Sequence, residues 1–549
     1  APGGASFQRS RGLRLILAGV AALLIASLAL ADARSRALLA NTFRLAGLVE
    51  CVALPLGVLL AAALVRTNLP GRRTALAILA CLLWPPLYLQ AGAWQSAFGF
   101  QGWLPLVWGG PAWLTGWTGA VVVHAAALVP WVVLFVGAGL YLVEADLEEQ
   151  ALLDLSPTAV FFRVTLHRAG PAIVAAALWG AVVCGSEMTV TDLFQIRTYA
   201  EELYTQFAVN PLPIAVVDDL PPPSASFVAQ LAPGAALCAA LVVAAAIASS
   251  GLAPVLRRGP RRRRFVYELG SLRLPAAAAV WGCLFVIAGV PLLSLLYQCG
   301  ATVERHGDEL SRTWSAIKCV RLVAECFVRW DDGPIPGRFA AELVRSFVVA
   351  ASAAALATGL AAALVWFARR GGARAVPALL VLAAALAIPG PLTGLIATRC
   401  FNRPEFPALI ELYDHSIVPL VLVQIPRSLP PAMLLLWPAL ASLPQESLDL
   451  ASLDGLSTFA RWRKVIVPQR WLAFLAAFAA AMAGATAELG ASLLVAPPGF
   501  DLVSVRAFNL LHFGVDDLVA SLYLALLTVL LFAAALVAWA QKKTHRGPA

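Results

Sequence analysis

Apolar runs close to twenty residues long recur along this 549-residue chain, near 13–31, 43–65, 74–93, 116–142, 170–196, 227–251, 275–298, 343–368, 376–398, 415–441, 470–497 and 518–540. At about 1.5 Å of rise per residue, a helix of about twenty residues crosses the roughly 30 Å hydrocarbon core of a bilayer. Backbone polar groups find no water there, so only helices and closed barrels can span. A barrel would alternate apolar and polar residues over segments of about ten, whereas these runs are continuous. The composition agrees: 60% of the residues are hydrophobic and 13% are charged, against about a quarter charged in soluble domains. The runs predict an all-α polytopic membrane protein with about 12 transmembrane helices.

The net charge of +9 would suit a nucleic-acid partner, but the basic residues fall in short segments beside the spans. That is the placement expected of interior loops, and it excludes nucleic acid. Taking the N-terminus as interior, Arg66, Arg72 and Arg73, then Arg257, Arg258 and Arg261–Arg264, then Arg369, Arg370 and Arg374, and finally Lys542, Lys543 and Arg546 all fall inside. Arg34 and Arg36 dissent. Both termini are expected in the cytoplasm of a bacterial cell with the protein in its inner membrane. Arg9, Arg11 and Arg14 ahead of the first run, with "ALADA" after it, resemble a signal peptide. The run is long enough to span, and it is read as a retained helix. Six dispersed histidines and nine cysteines without a CxxC pair give no metal-site spacing, and no cofactor is implied. Cys299, Cys319, Cys326 and Cys400 fall in or near expected exterior loops.

A second feature is a repeat. "EEQALLDLSPTAVFFRVTLHRAGPAI" (Glu148–Ile173) and "ESLDLASLDGLSTFARWRKVIVP" (Glu446–Pro468) match in character at an offset of about 300. Glu149, Ala151 and Asp154 pair with Asp449, Ala451 and Asp454; Leu155 stands where the second copy has Gly455. Pro130 pairs with Pro430, and Glu187 with Glu488 after a one-residue deletion in the first copy. Such spacing indicates a duplicated unit, and six spans per copy make the two copies parallel. The reading divides the chain into a first half, 1–255, with its polar loop near 144–171; an Arg-rich interior linker, 256–274; and a second half, 275–549, with its loop near 442–470. Each loop suits a short helix, a turn and a second amphipathic helix. Ala151, Ala451 and Ser452 are expected to let the first helix press into another protein's groove. Trp462 suits either the interface or the interior.

With these residues in view, the chain resembles the permease subunits of ABC importers, whose signature is an EAA loop ending in an I-x-L-P-like sequence. The second copy fits as "DLASLDG" followed by "VIVP", and the first as "EQALLDL" followed by "VTLH", with Leu155 for the Gly and His167 for the Pro. Leu155 would be strained in a left-handed turn, so the first turn is expected to be built differently. The resemblance implies coupling helices seated on a cytoplasmic ABC ATPase dimer and a substrate-binding protein delivering cargo outside. The chain has no GxxxxGKS or GxxxxGKT phosphate loop, which agrees with a non-enzymatic permease whose ATPase is a separate polypeptide. "SEMTVTDLFQIRTYAEELYTQF" (Ser186–Phe207) and "AELGASLLVAPPGFDLVSVRAFNLLHFGVDDLVA" (Ala487–Ala520) are similar to fused two-loop permeases of the ferric-iron type. Permeases for thiamine, sulfate, polyamines or phosphonates share much of this layout.

Ionisable groups inside spans usually face a bundle interior or water, which makes Glu187 and Glu488 candidates for a translocation path or for bracing between helices. His124, aligned with Gln424, reads as an interhelical hydrogen-bonding group. Arg427, in the Pro-interrupted "IPRSLPPA", either bridges carbonyls freed by Pro426 and Pro430 or lines a gate. Glu50 has no repeat partner. The rival reading is an ion-coupled secondary transporter, which leaves the paired polar loops unexplained.

Overall fold

A computed structural model of the chain describes residues 33–100, 102–209, 265–306, 309–330, 334–369, 374–497, 499–514 and 516–545. The expected spans near 13–31 and 227–251, and the run Arg261–Arg264, lie outside the described residues.

The chain begins with α1 (Ala33–Arg66), α2 (Arg72–Cys81), α3 (Leu87–Phe98), α4 (Trp103–Trp108) and α5 (Gly116–Tyr141). The run expected at 74–93 is split between α2 and α3, because Pro85 and Pro86 lie between them and proline supplies no N–H to a helix. Next come α6 (Ala145–Ala151), α7 (Pro157–Arg168), α8 (Gly170–Ser186), α9 (Thr189–Leu193) and α10 (Tyr199–Val209). The second part opens with α11 (Gly270–Gly300), two strand pairs around a helix, and α13 (Ala340–Ala368). The pairs are β1 (Ala301–His306) with β2 (Glu309–Trp314) and β3 (Val328–Trp330) with β4 (Pro334–Pro336), both antiparallel; α12 (Ala316–Glu325) lies between them. The chain finishes with α14 (Ala375–Ala387), α15 (Gly390–Phe401), α16 (Pro407–His415), α17 (Val418–Ala441), α18 (Gln445–Leu453), α19 (Thr458–Thr486), α20 (Gly490–Val495), α21 (Val503–Leu511) and α22 (Asp517–His545).

Among the described residues, six helices are long and apolar enough to cross a membrane: α1, α5, α11, α13, α17 and α19. The number rises to eight if two bent pairs each count as one span, α7 with α8 (bent by 60°) and α14 with α15. The protein is therefore an all-α polytopic membrane protein; among the described residues its two strand pairs lie within 301–336, with one isolated bridge between Thr67 and Tyr267.

Two three-helix groups form its centre. In the first, α1 packs along α5 and both pack against α8. Leu45, Val49 and Ala53 of α1 meet Val129, Val132 and Val136 of α5 in one core. Gly57 permits the approach, since a Cβ there would stand 2.5 Å from the Val132 side chain. Small residues at such crossings replace the hydrophobic drive that helices lack in lipid. In the second group α13, α17 and α19 pack on one another, with Ala354, Ala357 and Ala361 facing Leu429, Met433, Leu436 and Ala477. The groups interlock. Tyr88, Leu89 and Ala93 of α3 share a core with Leu295 of α11 and Leu522 and Tyr523 of α22. Met188 and Ala200 pack with Val349 and Leu420.

Candidate functional site

The repeated polar loops have the same build. In each, a short helix (α6 or α18) is followed by a turn and a serine cap, Ser156 or Ser457, whose hydroxyl accepts from the N–H three residues on, Ala159 or Ala460. That is the usual satisfaction of an orphan helix N–H. Each new helix then widens into one π turn, Phe161–Thr165 and Trp462–Ile466, at an offset of 301.

The turns themselves differ. Gly455 is left-handed at φ +70°, and the N–H of Leu456 reaches back to the Ala451 carbonyl at 3.2 Å, the glycine-terminated helix end. Leu155 is not among the residues of positive φ, and its N–H bonds to the Ala151 carbonyl at 2.9 Å. The first turn is thus closed by a helical bond without a left-handed residue, as the missing glycine led us to expect.

Side-chain placement corrects one expectation. Ala451 is 4% exposed, so it faces its own chain rather than a partner's groove, while Ala151 is half-buried and Ser452 exposed. The reason is helical phase: Leu448 and Ala451, three apart, share the inward face. What points outward is Glu149, Asp154, Asp449 and Asp454, all exposed, with Leu153 (84%) and Leu453 (82%). These two leucines stand 300 residues apart. Trp462 is packed inside, between Trp366 and Phe474.

Beneath the first loop lies a polar network absent from the sequence reading. The guanidinium of Arg66, at the end of α1, meets the Glu148 carboxylate at 2.5 Å, both side chains fully buried. Thr165 donates to the other Glu148 oxygen at 2.5 Å, and the Tyr267 hydroxyl lies 2.9 Å from Thr165. Arg66 also donates to the Phe265 carbonyl, while the Tyr267 N–H bonds to the Arg66 carbonyl. The segment between the two parts of the chain is therefore fastened to the first loop. At the corresponding positions beneath the second loop stand Trp366, Leu448 and Ile466. They line an open cavity of about 320 Å³ whose rim carries Arg369, Arg374 and Arg461. Arg470 adds a tether, donating to the Ser442 carbonyl.

Glu187 and Glu488 line one cavity of about 400 Å³ bordered by both three-helix groups. Each carboxylate caps a short helix. Glu187 accepts from the N–H groups of Thr189 and Val190 at the start of α9, and Glu488 from Ala491 at the start of α20. Each also has a basic neighbour. His124 Nε2 stands 3.4 Å from Glu187, and Arg427 Nε donates to Glu488 at 3.0 Å. Arg427 reaches further, donating to the carbonyl and hydroxyl of Ser186 at 3.2 and 3.1 Å. It therefore lines the cavity and ties α17 to α8. Gln424 bonds to Ser492 instead. Glu50 lies against Gly180 with both carboxylate oxygens buried and without a hydrogen-bond partner.

Among the described residues no group of three or more His, Cys, Asp or Glu side chains could hold a metal ion. No curated protein matches the chain. Residues 355–546, from within α13 past the end of α22 and including the second loop, match the family model of the binding-protein-dependent transport system inner membrane component. With its apolar helices, this match supports a multi-pass inner-membrane permease component of an ABC transporter, a type that works with a substrate-binding protein and an ATPase, and over 355–546 the chain is similar to that family.

Proposed function

We propose that the chain is a fused importer permease in which both halves of the usual permease pair, 1–255 and 275–549, lie in one polypeptide of about twelve spans. The observation that carries this reading is the pair Leu153 and Leu453, exposed at the same place on two loops of matching build. An exposed leucine flanked by carboxylates, with Glu149 and Asp154 in one loop and Asp449 and Asp454 in the other, suits a docking knob for an ATPase subunit. Two knobs call for an ATPase dimer. Closure of that dimer on ATP moves the loops and, through α7–α8 and α19, the helices that border the central cavity. A binding protein delivers cargo on the opposite face, and both termini are cytoplasmic.

Glu187 and Glu488 are the proposed cargo-facing carboxylates. In this arrangement His124 and Arg427 hold them, so a cation meets free carboxylate only after Arg427 leaves Glu488. Ferric iron is the cargo that the sequence resemblance favours. A second reading, an organic cation such as thiamine, is supported by Trp84, Tyr88, Trp131 and Trp179 along the same cavity, since aromatic faces attract cations.

The test is uptake into liposomes carrying the permease with its binding protein and ATPase, offered ferric iron, thiamine, sulfate and polyamine in turn. ATP-dependent uptake of iron supports the full reading. Uptake of another solute removes iron and keeps the permease. Uptake driven by an ion gradient without ATP removes the importer reading altogether.

A further inference from the structure

Three cysteines meet where the 301–336 segment sits on the end of α11. Cys299 is the penultimate residue of α11, Cys319 lies in α12, and Cys326 follows α12. All three are buried, in a core they share with Leu295 and Tyr523. The Cys299 sulfur lies 3.6 Å from the Cys319 carbonyl oxygen, which brings the two cysteines side by side as free thiols. Cys326 is turned elsewhere, its sulfur 3.4 Å from the Leu322 carbonyl and 3.6 Å from the Ser521 hydroxyl.

We propose that Cys299 and Cys319 are joined by a disulfide bond in the mature protein, stapling the 301–336 segment to α11. The proposal rests on the topology given under the proposed function, which puts this segment on the exterior face, where disulfides persist. The segment needs such a staple. It has two strand pairs and one ten-residue helix, and α12 leaves Ile317 (81% exposed) and Val320 outside the core. A unit this small buries too little apolar surface to hold itself in place and commonly relies on cross-links. The remaining contacts converge on the same spot. Lys318 pairs with Asp517 at 2.8 Å and donates to the Ala301 carbonyl, and the Trp314 indole donates to the Leu296 carbonyl.

The chemistry is thiol–disulfide exchange with a disulfide-carrying oxidoreductase of the exterior compartment. The Cys299 or Cys319 thiolate attacks that protein's disulfide, giving a mixed disulfide and one released thiol. The second thiolate of the pair then displaces the carrier. One S–S bond forms in the permease and one is lost from the carrier, which leaves as a dithiol with the two electrons and two protons. The staple would make α12 move as one body with α11 and α22.

The experiment is peptide mapping of protein purified from membranes with its free thiols blocked at the moment of lysis, without reductant. The expected result is a linked peptide pair containing Cys299 and Cys319, with Cys326 alkylated. Recovery of Cys299 and Cys319 both alkylated, or a bond from either one to Cys326, overturns the proposal. Ile317→Cys, probed in intact cells with a membrane-impermeant maleimide, tests the topology separately. Labelling from outside with Cys299 and Cys319 still reduced sinks the disulfide alone, whereas labelling only from inside sinks the topology on which it depends. In detergent, reductant should lower the melting temperature of the wild type and leave Cys299→Ser/Cys319→Ser unmoved; an equal shift in both also counts against the bond.

Discussion

Beneath the first repeated loop lies a buried ion pair with two hydroxyls, Thr165 and Tyr267, on its carboxylate side, and beneath the second lies a tryptophan, a leucine and an isoleucine at the same repeat positions. The comparison shows two solutions to one mechanical problem, holding a surface helix rigidly to a membrane helix. Arg66–Glu148 is directional and recruits Tyr267 from the connecting segment, so the first loop is bound to the join between the two parts of the chain. A buried pair of this kind gains little net stability, because desolvation consumes most of the Coulomb energy. What it supplies is geometry. The second loop relies on apolar contact, which is non-directional, with a glycine turn and Arg470 to set its orientation. The open cavity beside it fits that looser anchorage.

The largest effect should come from cutting the polar anchor. Glu148→Ala leaves Arg66 buried without its carboxylate, which costs about 3–5 kcal/mol, read as a large fall in melting temperature in detergent or nanodiscs. The double variant Arg66→Met/Glu148→Leu, which makes the first anchor resemble the second, should recover most of that loss; failure to recover would show that the polar network does more than hold the loop. Next, Leu448→Ala should cost about 2 kcal/mol, the lower end for a buried leucine because it already borders a cavity. A loss as large as that of Glu148→Ala would erase the contrast between the anchors. Smaller again is the turn. Gly455→Ala forces a side chain into a left-handed conformation at about 1 kcal/mol, while Leu155→Gly, where no left-handed residue is needed, should gain nothing in the same unfolding assay.

The smallest effect concerns pH. His512, beyond α21, stands 3.1 Å from Asp192, a contact between the two parts of the chain. The hydrogen bond to Asp192 raises the imidazole pKa above its usual value, with partial burial opposing. The charged contact is therefore fully present below about pH 6.5 and is lost as pH rises through the raised folded value. NMR titration of labelled histidine should show a lower His512 pKa in Asp192→Asn; an unchanged value would mean the contact does not form in solution.

Much of this was legible in the sequence for identifiable reasons. Span length reports directly on the bilayer, so the helical membrane class followed from runs of apolar residues alone. The repeat offset brought Glu187 and Glu488 forward, and both face one cavity. The absent glycine at Leu155 foretold a different first turn. Other features were hidden. Which face of α18 turns inward depends on where α13 and α19 lie, so Ala451 could not be told from Leu453 by pattern. Arg66, Glu148 and Tyr267 are 82 and 119 residues apart in their pairings, and no local periodicity links them. Pro85 and Pro86 within a continuous apolar run gave the one available signal that the span at 74–93 would break. The strand pairs at 301–336 lie in a stretch we read only as an exterior loop.

The most direct measurement is site-specific cross-linking of Leu153→Cys and Leu453→Cys, each made singly in a permease otherwise free of reactive cysteine, to its ATPase in the assembled transporter. The account predicts that both positions cross-link, each to one ATPase subunit, with two ATPase subunits per permease chain. Cross-linking at one position only, or a single ATPase subunit per chain, would contradict it.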